Sequence, residues 1–187
     1  MDNPDDGKNL IQMLRDVRKY FGEVAKLLGV AESSLEEHGL ELAEKSAYKY
    51  GSALLSYPGD WLPYVVIRMF KVSQPGVRVF VSAILDLYPE YDAVLTQPIV
   101  CSGWIDFGDQ NPEDVTTYWV PSSHVRIGHH PADGKWYTTR NTESKHPIEL
   151  RAFGVPLTSI LGEPQLQSLV LQPLLKEVES RWPRLQG

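Results

Sequence analysis

Hydrophobic residues near the N-terminus recur at steps of three and four, which is the spacing of one face of an α-helix. This stripe covers residues 8–28, and Gly29 follows it at a position suited to the left-handed residue that ends a helix. Ser33 and Glu36 then have the spacing of a capping box, and a second apolar stripe follows them. The pattern therefore predicts two N-terminal helices that form a helical hairpin over residues 8–57.

After residue 60 the hydrophobic period falls to two, which is typical of β-strands. The predicted strands cover residues 64–72, 77–88, 98–107, 116–120, 123–129, 135–140 and 148–153. Turn-forming residues separate them, including Gln74-Pro75-Gly76 and the loop ending at Gly134, where we expect a positive φ. Because helices flank this block and none interrupts it, we expect a mainly antiparallel sheet of about five to seven strands over residues 62–153.

The helical spacing returns at residues 156–183, where we expect C-terminal helices that pack on the sheet. Pro156 is suited to the first position of a short helical turn that ends before Gly162. Pro173 interrupts the longer stripe that follows, so we expect a break or kink that gives two short helices. The order of elements indicates one α+β domain over residues 1–187, which is an ordinary size for a domain.

One face of the first two predicted strands carries more apolar surface than a monomer normally leaves in water. Its members are Tyr64, Val66, Phe70, Phe80, Ile84 and Tyr88. Either the C-terminal helices cover this face or a second protein chain does, so a homodimer is an open alternative. We expect the helices there, because their own apolar stripe also has to be buried.

Composition restricts the class of protein. Hydrophobic residues make up 42% and charged residues 22% of the chain, which is typical of a globular protein rather than a disordered one. The net charge of −6 disfavours nucleic acid as a partner, because phosphate binding requires a basic surface. No apolar run is long enough for a membrane span and no secretory signal is visible. The single cysteine, Cys101, alternates with apolar residues, so we expect it to be buried in a soluble cytoplasmic protein.

Charge is distributed unevenly along the predicted sheet. Residues 79–125 contain no lysine or arginine and seven acidic residues, whereas residues 126–151 contain five basic and three acidic residues. Tryptophans are interleaved with this acidic segment, and aromatic side chains commonly anchor protein interfaces, although burial in the core is their alternative place. The candidate binding residues are Trp104, Asp106, Asp109, Glu113, Trp119 and Trp136. Trp104 lies on the same face of its strand as Ser102 and Asp106, and this is the more polar face.

Two groups of residues have the chemistry of metal ligands. The loop that contains Asp109 and Glu113 is rich in oxygen ligands, but it has Asp114 and Val120 where an EF-hand needs glycine and glutamate. The histidines His124, His129 and His130 lie close together in sequence, and His124 and His130 with Asp106 are a weaker alternative metal site. Residues 124 and 130 would be about 20 Å apart on a straight strand, so a bulge near Gly128 would be required.

We therefore expect a non-catalytic accessory protein that binds a basic protein partner through the acidic, aromatic-bearing face of the sheet. No catalytic residue and no cofactor are assigned. The alternative is a small metal-assisted hydrolase or other enzyme that uses His124, His129 and His130 with Asp106 or Asp109. A third interpretation is a small-molecule pocket between the sheet and the N-terminal helices.

Overall fold

A computed structural model describes residues 4–43, 48–50, 65–72, 79–86, 97–107, 132–140 and 149–183. The chain begins with the helix α1, and seven strands follow it. These elements are α1 (Pro4–Glu37), β1 (Leu40–Leu42), β2 (Tyr48–Tyr50), β3 (Val65–Val72), β4 (Val79–Asp86), β5 (Ile99–Asp106), β6 (Tyr137–Arg140) and β7 (Glu149–Pro156). A 3-10 turn (Leu157–Ser159) leads to the C-terminal helix α2, residues 163–181.

The strands form an antiparallel sheet in the order β1-β3-β4-β5-β7-β6. β1 and β2 both pair with β3, at opposite ends of it, so the seven strands occupy six positions. The predicted α+β class, with a mainly antiparallel sheet and C-terminal helices, is confirmed. The strands predicted at 116–120 and 123–129 lie outside the described residues. Gly134 has the expected positive φ, 76°.

The prediction of two N-terminal helices is wrong, because α1 continues through Gly29 to Glu37. The left-handed residue that follows the helix is Gly39, with φ 78°. Val24 and Leu28 before the glycine, and Ala31 and Leu35 after it, are all buried in the main hydrophobic core. This continuous packing outweighs the cost of about 1 kcal/mol for glycine inside a helix. The chain then enters the sheet at Leu40 instead of forming a second helix.

Both helices lie on one face of the sheet and share a single core with it. The sheet contributes Val66, Phe70, Val81, Trp104 and Phe153 to this core. The helices contribute Val24, Leu28, Leu35, Val170, Leu174 and Val178. On the same face, the Arg68 guanidinium of β3 donates hydrogen bonds to the Glu32 carboxylate of α1. The protein's own helices therefore cover Val66 and Phe70, two members of the apolar surface that required a cover.

The predicted grouping of apolar residues on the first two strands is wrong in one respect. Residues paired across antiparallel strands share a face of the sheet, and Phe70 is paired with Val81, whereas Ile84 is paired with Ile67. Val66 and Phe70 therefore do not share a face with Phe80 and Ile84. The turn between two strands determines this relation, because a shift of one residue exchanges the faces of a whole strand.

The opposite face of the sheet is also buried along its central strands. Ile67, Met69, Ile99, Cys101, Ile105 and Leu150 are each at most 5% exposed. Cys101 is a free cysteine, and its expected burial is confirmed. Burial of both faces explains why β5 contains apolar residues on both faces, at five of its eight positions, and not at alternate positions only.

The interruption expected near Pro173 is present as a change of helix type, and the chain stays helical through it. The α-helical segments of α2, Glu163–Leu166 and Gln172–Arg181, are joined by a π-helical segment, Gln167–Leu171, which ends just before this proline. A wider helical turn relieves the clash between a proline ring and the carbonyl group one turn earlier, so the chain keeps its helical course. Within the described residues, no helix is both long enough and apolar enough to cross a membrane.

Candidate functional site

Trp104, the first candidate anchor, lies at the centre of β5 and is fully buried beneath the C-terminal end of α2. The Trp182 ring packs edge-on against it with 5.3 Å between ring centroids. The Arg181 guanidinium lies 4.4 Å from the Trp104 ring centroid, within the range of a cation–π contact. Trp104 therefore holds α2 against the sheet, and its ring is not part of the solvent-facing surface.

Asp106, at the end of the same strand, faces a basic side chain of its own molecule. Its carboxylate oxygen Oδ2 lies 4.0 Å from Nη2 of Arg181. The same Nη2 donates a hydrogen bond of 2.6 Å to Glu149, which also lies 3.6 Å from Arg140. The two carboxylates and the two guanidinium groups form a locally neutral cluster, which we call the Arg181 cluster (Asp106, Arg140, Glu149, Arg181).

Trp136, in the loop before β6, is half-buried against Phe153, with 4.5 Å between the ring centroids. The Arg151 guanidinium lies 5.2 Å from its ring, and this arginine donates a hydrogen bond of 2.5 Å to Glu177 of α2. One side of Trp136 forms the wall of a groove of about 520 Å³. The other wall is the outer face of α2, with Ser168, Gln172, Lys176 and Ser180.

The loop beside Trp136 has a hydrogen-bonded network of its own. The Asp133 carboxylate accepts hydrogen bonds from the backbone and the side chain of Lys135 and from the Tyr137 hydroxyl. These donors lower the pKa of Asp133, and the hydrogen bond to the Asp133 carboxylate raises the pKa of Lys135. The network spans the turn at Gly134, from Asp133 before the glycine to Tyr137 after it.

The remaining sequence-predicted candidates lie outside the described residues. They are Asp109, Glu113, Trp119, His124, His129 and His130. Within the part of the chain that the structure describes, no group of three or more His, Cys, Asp or Glu side chains could hold a metal ion. The metal site, the hypothesis of an enzyme that uses it, and the binding role of the acidic loop therefore remain predictions.

A second candidate surface is the N-terminal half of α1. Side chains on the segment 7–20 are exposed, apart from the partly exposed Val17. Four neighbouring apolar side chains are more than half exposed: Leu10 (55%), Ile11 (52%), Met13 (61%) and Leu14 (60%). We call residues 7–20 the exposed segment of α1.

The exposed segment continues the same row of residues that packs on the sheet. Alternate steps of four and three residues lead from Leu10 through Leu14, Val17 and Phe21 to Val24. The row then continues with the buried residues Leu28, Ala31 and Leu35. At the point where the row extends past the sheet, Phe21 is partly buried against the core. Partial burial also raises the pKa of the neighbouring Tyr20 hydroxyl. The sequence signal that marks this surface is the length of the row, which exceeds the width of the sheet.

Comparisons with known proteins yield no relative. No protein-family model matches the chain, and no curated protein or solved structure is significantly similar to it.

Proposed function

We propose that this protein is a non-catalytic binding protein and that it engages another protein chain through the exposed segment of α1. The observation that carries the proposal is the group of four adjacent apolar side chains, each more than half exposed, on one regular helix. A contiguous apolar patch on a soluble protein is the usual mark of a protein contact surface.

The energetics favour a partner on this segment. Complete burial of a leucine, isoleucine or methionine side chain contributes about 1.5–3 kcal/mol, so covering the remaining half of each adds about 1 kcal/mol. A helix that is not packed on anything is marginally stable in water. A partner that covers Leu10, Met13 and Leu14 would therefore stabilise both the contact and the helix itself.

A separate part of the proposal concerns the acidic segment and rests on sequence. The acidic residues of segment 79–125 favour a second partner, a basic protein, at a surface distinct from the exposed segment of α1. Because Asp106 already faces Arg181, attraction for such a partner would come from residues such as Asp109 and Glu113. Binding to a basic partner should then weaken as ionic strength rises, since salt screens exposed charges. We also propose a cytoplasmic location, which the free thiol of Cys101 supports.

Site-specific photo-crosslinking tests the proposal directly. A photoreactive amino acid would replace Leu14 on the exposed segment or, as a matched control, Leu161, which is 85% exposed and lies between the 3-10 turn and α2. After irradiation in cells, we expect a discrete adduct from position 14 and none from position 161. If position 14 gives no adduct to any protein, the proposed function is wrong.

A further inference from the structure

We infer that the partner of the exposed segment is a second copy of this chain, and that the two α1 helices pair antiparallel. This inference rests on the proposed function, because it requires the exposed segment to be a protein contact surface. Three independent features of the molecule support self-pairing: the spacing of the apolar row, the position of the sheet and the distribution of charge along α1.

The spacing of the apolar row is the spacing of a coiled coil. Apolar residues that alternate at steps of four and three residues give a straight seam, and such a seam is best covered by another helix with the same spacing. The exposed segment contains this pattern at Leu10, Leu14 and Val17. A second copy supplies an identical seam, so Leu10 of one chain can lie level with Leu14 of its partner.

The position of the sheet determines the direction of pairing. From Val24 onward the row is covered by the protein's own sheet, so a partner helix can occupy only the part before Phe21. In a parallel pair, the two sheets would have to occupy the same space between the helices. In an antiparallel pair centred near Gln12, each sheet lies beyond the N-terminus of the other helix, so the two sheets do not collide.

The charge distribution agrees with an antiparallel pair. In sequence, the start of α1 has two acidic residues and one basic residue (Asp5, Asp6, Lys8), whereas residues 15–19 have three basic residues and one acidic residue (Arg15, Asp16, Arg18, Lys19). Antiparallel pairing brings the acidic start of each helix level with the basic region of its partner, and it also opposes the two helix dipoles. Residues 4–23 hold four acidic and four basic residues, whereas helices that lie on anionic membranes carry an excess of lysine and arginine. The segment therefore fits its own copy better than a lipid surface.

Measurement of the molar mass in solution is the first test. The full chain should approach twice 21.1 kDa as its concentration rises through the micromolar range, because the shared face is short and the association is weak. The paired substitution Leu10→Asp with Leu14→Asp should weaken association at least tenfold. The control, Leu161→Asp, alters a leucine that is more exposed than Leu10 and Leu14 and lies outside the seam, so it should leave the association unchanged.

Spin-label distances test the direction of pairing. Labels introduced by Gln12→Cys lie close to the proposed centre, so the two labels of a dimer should be about 20 Å apart, roughly two helix diameters. Labels introduced by Lys26→Cys lie fourteen residues from the centre in each chain, which corresponds to about 40 Å along the helix axes. A parallel pair would give the same short distance at both positions and would contradict the antiparallel arrangement. The buried Cys101 is protected from labelling.

The outcomes separate this inference from the proposed function. An adduct of Leu14 with a different protein, together with a mass of 21.1 kDa at every concentration, would overturn self-pairing and support the proposed function. Binding of the monomer to anionic phospholipid vesicles, with loss on Leu10→Asp and Leu14→Asp, would also overturn self-pairing. A monomer without any adduct would overturn both.

Discussion

At the scale of single residues, the central strands leave no room for a side chain at one position of β5. A Cβ atom built on Gly103 would lie 2.3 Å from the carbonyl oxygen of Arg151 and 2.8 Å from Cα of Ala152. Both atoms belong to the backbone of β7, which cannot shift without loosening its pairing with β5. Glycine is required here by close packing between strands.

We predict that Gly103→Ala lowers the free energy of unfolding by about 2–3 kcal/mol, because the added methyl group must push two paired strands apart. Chemical denaturation followed by circular dichroism would measure this loss. Gly22→Ala is the matched control, since nothing lies within 4 Å of its Cβ position in α1. That substitution should increase stability by about 0.5–1 kcal/mol, because alanine favours the helix more than glycine does. Equal effects from the two substitutions would contradict the packing argument.

Arg181 is the residue that joins the Arg181 cluster to Trp104. It hydrogen-bonds Glu149, faces Asp106 and stacks on the Trp104 ring. Because its side chain is about one-third exposed, solvent screens part of the charge interaction.

We predict that Arg181→Ala destabilises the fold by about 1–2 kcal/mol, through loss of the stacking contact and of the counter-charge for two carboxylates. Arg181→Lys keeps the charge but not the planar stacking, so it should restore less than the full stability. Thermal unfolding of the two variants would measure both effects. Full recovery with lysine would show that the charge alone matters.

At the scale of elements, α1 has two halves with one sequence pattern and two environments. Leu35 is fully buried and Leu14 is 60% exposed, although both belong to the same apolar row. The difference arises because the sheet underlies only the C-terminal half of the helix, where Val24 to Leu35 meet the core.

We predict that Leu35→Ala lowers the free energy of unfolding by about 2–5 kcal/mol, because it leaves a cavity in the core. In dilute solution, Leu14→Ala should change it by no more than about 0.5 kcal/mol, as expected for an exposed position. Denaturant unfolding at low and high protein concentration would compare the two variants. Under self-pairing, the effect of Leu14→Ala should grow with concentration, because association stabilises the folded state.

At the scale of the whole molecule, the structure divides the aromatic and acidic candidates into different roles. Trp104 joins the sheet to α2, and Asp106 is paired within the Arg181 cluster. Trp136 forms a wall of the groove beside α2, and α1 extends beyond the sheet. Among the described residues, the exposed apolar side chains are therefore concentrated on α1, whereas Trp104 and Asp106 make contacts within the protein itself.

Much of the fold could be predicted from the sequence because it depends on local periodicity. The period of two in residues 64–72 and 98–107 placed β3 and β5 within a residue or so of their ends, and the turn glycine Gly134 was identified by its loop. Trp104 could not be assigned in the same way, because alternation shows which residues share a face but not what covers that face.

By itself, the sequence determined the class of fold, the strands β3 to β7 and the apolar row over residues 8–28 of α1, since each depends on the spacing of side chains along one segment. It missed β1 and β2, which lie in a segment predicted to be helical. Only the tertiary structure decided that Gly39 and not Gly29 ends α1, which strand faces coincide, and where the row leaves the core. These features depend on contacts between segments distant in sequence. A helix face that packs on a sheet and a helix face that is exposed have the same spacing of three and four residues. The pattern alone could therefore not distinguish the buried half of α1 from its exposed half.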